Sequence, residues 1–159
     1  MLRGDLAAWL TLVAALVVPL YICAEPSETK PEAAASDSDY IAGKAALDRK
    51  DWREAARRFG QAALRDPDNA DLENYLGYSY RNLGELDAAF IHYKRALALN
   101  PRHRGAHEYV GEAYLMVGDL ARAEEHLAAL RRICLLPCEE LGDLERQITE
   151  YRKRTGSGR

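Results

Sequence analysis

The stretch Leu76-Gly77-Tyr-Ser-Tyr80-Arg-Asn-Leu-Gly84-Glu-Leu86-Asp-Ala-Ala89-Phe-Ile-His-Tyr93-Lys-Arg-Ala96-Leu-Ala-Leu-Asn-Pro101 has a counterpart on each side of it. Pro67 and Pro101 are 34 residues apart, and the same offset aligns Gly43, Gly77 and Gly111; Ala55, Ala89 and Ala123; Trp52, Leu86 and Leu120; Phe59, Tyr93 and Leu127; and Ala62, Ala96 and Leu130. A turn recurs between the columns as Lys50-Asp51-Trp52, Gly84-Glu85-Leu86 and Gly118-Asp119-Leu120. Self-similarity at a fixed period marks an architecture of stacked units, and it decides the fold before any local assignment.

Each column has a physical reason. Gly43, Gly77 and Gly111 fall inside helical stretches, where glycine costs up to about 1 kcal/mol relative to alanine, so two helices are expected to approach closely there. Ala55, Ala89 and Ala123 supply a small surface on the second helix of each pair, and Phe59, Tyr93 and Leu127, four residues on, fill the space between units. Gly84 and Gly118 suit the left-handed residue that ends a first helix. Asp51 and Asp119 suit N-caps of second helices, with Asp51-Trp-Arg-Glu54 reading as a capping box. Pro67 and Pro101 end second helices. Beyond Pro137, Leu141, Leu144, Ile148 and Tyr151 recur at helical spacing behind acidic first-turn residues, which predicts a C-terminal capping helix over 138–154 and a disordered tail over 155–159.

The pattern resembles the tetratricopeptide repeat (TPR) family over residues 36–137, in three contiguous units, 36–69, 70–103 and 104–137. Leu76-Gly77, Tyr80, Gly84, Ala89, Tyr93, Ala96 and Pro101 stand where the family places its Leu-Gly, Tyr, Gly, Ala, aromatic, Ala and Pro. The first unit departs with Ala46 and Lys50, the third with Leu135 and Pro137. The fold that the resemblance implies is all-α: a right-handed superhelix of three helix-turn-helix units plus the capping helix. It also implies that first helices line a concave groove for another protein or peptide. By alignment the lining is Tyr40, Lys44 and Leu47, then Asn74, Tyr75, Tyr78 and Arg81, then Glu108, Tyr109, Glu112 and Leu115. Tyrosine and arginine are the side chains that most often carry interface energy. Members that clamp a C-terminal carboxylate pair Lys with Asn on the first helix; here those places hold Tyr40 and Lys44. Lys44 and Arg81 against Glu108 and Glu112 predict a groove with a basic and an acidic end, suited to an extended peptide of mixed charge. The competing reading of these residues is interhelical packing and solvated surface charge.

The flanks differ from the repeats. From Leu6 to Ala24 there is no charged residue, and the segment reads as the core of a signal peptide over 1–24 with cleavage after Ala24. The alternative is an uncleaved anchor, the one case in which a membrane enters; a third reading lipidates Cys23. The signal and anchor readings place the rest outside the cytoplasm, periplasmic or secreted. Residues 25–38, rich in Pro, Ala, Ser, Glu and Asp, read as a flexible linker, with order beginning near Asp39 or Tyr40. The 159 residues, 48% hydrophobic and 30% charged, fit one soluble domain, and a net charge of -3 argues against a nucleic-acid partner.

Once Cys23 leaves with the leader, Cys134 and Cys138 are an even pair in an oxidising compartment, and a structural disulfide across Leu135-Leu136-Pro137 is the favoured reading. The other is thiol exchange or soft-ion (Cu(I)) handling, with His126 near. His103 and His107, one turn apart at a unit junction, face solvent or pack. No phosphate-binding glycine loop, nucleophile–base arrangement or paired catalytic carboxylate stands out, so neither cofactor, metal nor catalysis is expected.

Overall fold

Each helix begins where the sequence supplies a group to close its first turn. The computed structural model describes residues 37–156; the expected leader, the linker up to residue 36 and residues 157–159 lie outside the described residues. Helix α1 (Ser38–Asp48) is capped by Asp37, whose Oδ1 accepts from the amides of Asp39 and Tyr40 at 2.8 and 3.1 Å. The first described helix thus begins at Ser38, one residue before Asp39. Asp37 also takes both arms of the Arg65 guanidinium, which holds its carboxyl down at about 2. Helices α2 (Trp52–Arg65), α3 (Ala70–Asn82), α4 (Leu86–Leu99), α5 (Arg104–Met116), α6 (Leu120–Ile133) and α7 (Glu139–Gly156) follow. Thr155 and Gly156, expected in the tail, continue α7; the Thr155 hydroxyl donates to the Tyr151 carbonyl, at 2.9 Å.

Caps act as expected at Asp51 and Asp119, which accept from the Glu54 and Arg122 amides. The capping box at Asp51 is only half formed. The Glu54 carboxylate is held at 2.6–2.8 Å by Arg57 and Arg58, three and four residues on, while the Asp51 amide donates to the Ala46 carbonyl. Gly84 and Gly118 end first helices at φ +80° and +81°, and Lys50 takes the same left-handed conformation at φ 58° without glycine's freedom.

The helices stack as pairs, α1 on α2, α3 on α4 and α5 on α6, with α2 against α3, α4 against α5, and α7 against both α5 and α6. The buried core lies across the junctions. Ala46, Ala55 and Phe59 of the first pair meet Leu72 and Leu76 of the second; Ala89 and Tyr93 meet Val110 and Ala113; Leu127 and Leu130 meet Leu144 and Ile148 of α7. No pair covers its own apolar face, which is why stacking and a terminal cap are required. Fully burying Leu144 and Ile148 contributes about 2 kcal/mol each.

The column glycines permit this stacking. A Cβ on Gly43 would lie 2.7 Å from the Phe59 ring, and one on Gly77 2.5 Å from the Tyr93 ring. At Gly111 the nearest atom belongs to Leu144, 2.7 Å away, and not to Leu127 of the same column. Leu127 is smaller than the aromatics of the first two units, and Leu144 of α7 takes the place against the glycine.

Candidate functional site

The first helices of the three pairs, α1, α3 and α5, carry the predicted groove residues, and adjacent ones meet. On the α1–α3 side, Lys44 Nζ lies 3.2 Å from the Tyr75 hydroxyl and 4.5 Å from that ring's centre. Tyr75 stacks on Phe59 and meets Tyr40 edge-on. Burial, then Tyr75, pushes the Tyr40 hydroxyl up to about 12, so it stays protonated as a hydrogen-bonding group.

On the α3–α5 side, Tyr78 and Tyr109 lie 4.8 Å apart, and the Arg81 guanidinium sits over both rings at 5.2 and 5.4 Å. Arg81 closes an ion pair with Glu112, both side chains being largely buried. The expected basic and acidic ends are therefore redrawn: Arg81 and Glu112 neutralise each other mid-groove. An ion pair so enclosed does more for register than for stability.

Two predicted lining residues sit deeper than expected. Asn74 and Glu108 are 4% and 8% exposed. Desolvation, reinforced by Glu112, Asp143 and Glu140, raises the Glu108 carboxyl to about 8. Leu47 packs against the first core cluster, and Leu115 is itself part of the last.

The sequence reading left one wall out. Helix α7 turns its polar edge toward the first helices and closes two cavities with them. Near the starts of α3, α5 and α7, about 290 Å³ is lined by Asn74, Tyr75, Glu108 and Tyr109 together with Glu139, Glu140 and Asp143. Near their ends, about 280 Å³ lies between Arg81, Glu112 and Leu115 and the α7 residues Gln147, Glu150, Tyr151 and Arg154. The signal was present as a polar stripe at 140, 143, 147, 150 and 154, spaced by three and four.

The histidines resolve into structural roles. His103 caps α5: Nδ1 accepts from the Ala106 amide, and Nε2 therefore donates to Asp71, at 3.0 Å. His107 Nε2 faces the Pro101 carbonyl, which fixes that nitrogen as the donor and leaves Nδ1 to accept from His126 Nδ1, at 2.9 Å. His126 is thus joined to His107 rather than offered to the cysteines. The Cys134 and Cys138 sulfurs lie within bonding distance, with Cα atoms 6.0 Å apart. Among the described residues, no group of three or more His, Cys, Asp and Glu could hold a metal ion, and no helix is long and apolar enough to cross a membrane.

Comparison with known proteins agrees with this geometry. The sequence profile described as Tetratricopeptide repeat matches residues 40–101 and 91–134. No curated protein matches the chain by sequence. Among solved structures it is similar to the TPR2B domain of yeast Sti1, solved as a complex with pHsp70: TM-score 0.63, 21% identity, 76% of this chain and 95% of that one. It is likewise similar to PcrH, solved with the chaperone binding region of PopD: TM-score 0.65, 19% identity, 74% and 90% covered. A third is SycD, the type III secretion translocator chaperone of Yersinia enterocolitica: TM-score 0.65, 18% identity, 74% and 83% covered. At these identities the likeness speaks for the fold alone.

Proposed function

We propose, on the premise that this chain belongs to the tetratricopeptide repeat family, that it is a non-catalytic adaptor holding an extended polypeptide segment in its concave groove at the cell envelope. The observation that carries the reading is the continuous row from Tyr40, Lys44 and Tyr75 to Tyr78, Arg81 and Tyr109, walled on its far side by α7. Such a row presents rigid aromatic area and hydrogen-bonding tips at low entropic cost. Two of the structural relatives were solved as complexes, with pHsp70 and with the chaperone binding region of PopD, which supports a polypeptide partner here. The envelope setting rests on the uncharged segment 6–24.

The test is affinity capture from a native envelope extract with the full chain and a Tyr78→Ala, Arg81→Ala variant whose helical content matches. The expected result is a protein partner retained by the first and lost by the second. Equal recovery by both would remove the groove from the reading.

Cys134 and Cys138 are assigned a structural staple between α6 and α7. Closing a loop this short contributes about 2 kcal/mol through the unfolded state. The Cys134→Ser, Cys138→Ser protein is expected to melt several degrees lower with capture preserved. Lost capture at an unchanged melting temperature would instead favour a working thiol pair.

A further inference from the structure

We propose that the cavity at the starts of α3, α5 and α7 is a subsite for one basic side chain, lysine or arginine, of the bound polypeptide. The proposal rests on the groove reading above and names what one part of that groove selects. Carboxylates alone do not carry it. Asp71, Glu139 and Glu140 stand in the first turns of α3 and α7, where acidic residues complement the helix dipole in any case. Asp71 is moreover bonded to His103, Glu140 lies near Arg104, and Asp143 holds Arg146.

Glu108 is different. It lies beyond the first turn of α5, is more than nine-tenths buried, and lines the cavity with no hydrogen bond or ion pair to its carboxylate among the described residues. An acid whose side chain is largely buried and whose carboxyl has no partner in the protein is costly to ionise, and the cost is relieved by a cation brought into the cavity. Asn74 is a second, independent sign. It is 4% exposed, lines the same cavity, and its Oδ1 is buried without a hydrogen-bond partner. Gly105 keeps the wall thin at that place, since a Cβ there would stand 3.2 Å from Asn74 Nδ2.

The lining therefore combines an ionisable carboxyl, an amide carbonyl and two tyrosine rings; Arg81 acts on Glu108 without forming an ion pair with it, and His103 is engaged by Asp71. Tyr75 and Tyr109 each already hold an intramolecular cation over their faces, Lys44 and Arg81. This is a donor-poor, acceptor-rich pocket, and a side chain with several N–H donors and a positive charge complements it. Burial and the neighbouring acids push Glu108 up to about 8, a condition that an incoming ammonium or guanidinium reverses. The cavity of about 290 Å³ has the volume for the end of one such side chain.

The test is a ¹H–¹⁵N titration of the labelled full chain with an acetylated, amidated pentapeptide bearing lysine between alanines, read at the Gly105 amide and the Asn74 side-chain amide. Saturable shifts at both are expected. Glu108→Gln is expected to weaken binding at least tenfold, and the exposed Glu139→Gln about threefold, the second serving if the first disturbs the fold. The inference is overturned if the lysine peptide moves neither signal, if the glutamate counterpart moves them equally, if calcium chloride alone reproduces the shifts, or if both variants bind as tightly as the parent. A lysine peptide that fails while capture still depends on Tyr78 and Arg81 removes only the basic-residue subsite. The converse pair of results leaves a cation cavity and removes the polypeptide groove.

Discussion

Gly77→Ala is expected to destabilise the protein by about 2–3 kcal/mol, while Gly60→Ala, the same change in the neighbouring helix α2, is expected to stabilise it by up to about 1 kcal/mol. Both positions are helical, and on propensity alone both changes are favourable. The difference is space. A Cβ on Gly60 meets nothing within 4 Å; on Gly77 it meets Tyr93 Cε1 at 2.5 Å and Cδ1 at 2.6 Å. Tyr93 is fully buried between α4 and the next pair, so its ring has nowhere to retreat. Relief must come from parting α3 and α4, which also displaces Tyr75, Tyr78 and Arg81, carried on the same helix. Denaturant unfolding of both variants checks this, and equal stabilities would remove close approach as the reason for the glycine column. The same displacement predicts weaker capture by Gly77→Ala even where the protein remains folded.

How far the sequence reaches is clearest from such pairs. The 34-residue columns identify the stacking and the glycine turns at positive φ, because each is a local requirement repeated in register; they match the mid-helix glycines to the alanine column, whereas Gly43 and Gly77 meet the Phe59 and Tyr93 rings. They fail at Gly111, whose neighbour is Leu144, since the third unit carries the smaller Leu127 in the aromatic column and a residue of α7, outside the repeats, takes the place against the glycine. The groove contacts do carry a signal, at a different offset. Lys44–Tyr75, Tyr78–Tyr109 and Arg81–Glu112 are all separated by 31 residues, one repeat less about one helical turn. Adjacent first helices meet with that stagger, so searching at 31 as well as 34 pairs Arg81 with Glu112 in advance. The orientation of α7 is harder to read. Its apolar stripe says that it docks, and its polar stripe at 140, 143, 147, 150 and 154 is what any amphipathic helix shows to water. Only docking on α5 and α6 turns that stripe into a wall. The His107–His126 pair has no periodic signature, because it joins two helices through ring nitrogens whose roles are fixed by the Pro101 carbonyl.

The second large effect is a stability optimum bounded on both sides by buried titrating groups. On the alkaline side stands Glu108, faced by Asp71 and Arg81 from α3, His103 from the preceding turn, Arg104 and Glu112 on its own helix, and Glu139, Glu140 and Asp143 from α7. Its carboxyl titrates at about 8 when folded, raised first by burial and then by Glu112, Asp143 and Glu140, against an ordinary 4.5. Between those values the folded protein keeps a proton that the unfolded chain has lost, so stability falls as pH rises through the window. At about 1.4 kcal/mol per pH unit, and discounted for water reaching the cavity, the loss is on the order of 2–3 kcal/mol. On the acidic side burial and His107 hold His126 at about 4, and burial lowers His107 too. There the unfolded chain takes up protons first, from its ordinary 6.5, so stability falls as pH drops toward 4; protonating His107 at Nδ1 would also set two N–H groups against each other. The lowered carboxylates Asp37 and Glu54, at about 2, add to the same acid loss. Melting temperatures are therefore expected to peak between about pH 6 and 7. Glu108→Gln should gain stability progressively between about pH 4.5 and 8, nothing near pH 4.5 and about 2–3 kcal/mol at pH 8.5, so that the optimum moves to higher pH and the alkaline limb flattens. A parallel loss on both proteins above pH 7 would show that Glu108 titrates normally and is not buried without a partner. If the limb does flatten while affinity for the lysine peptide falls, the acid that destabilises the empty groove is the one that recognises its ligand.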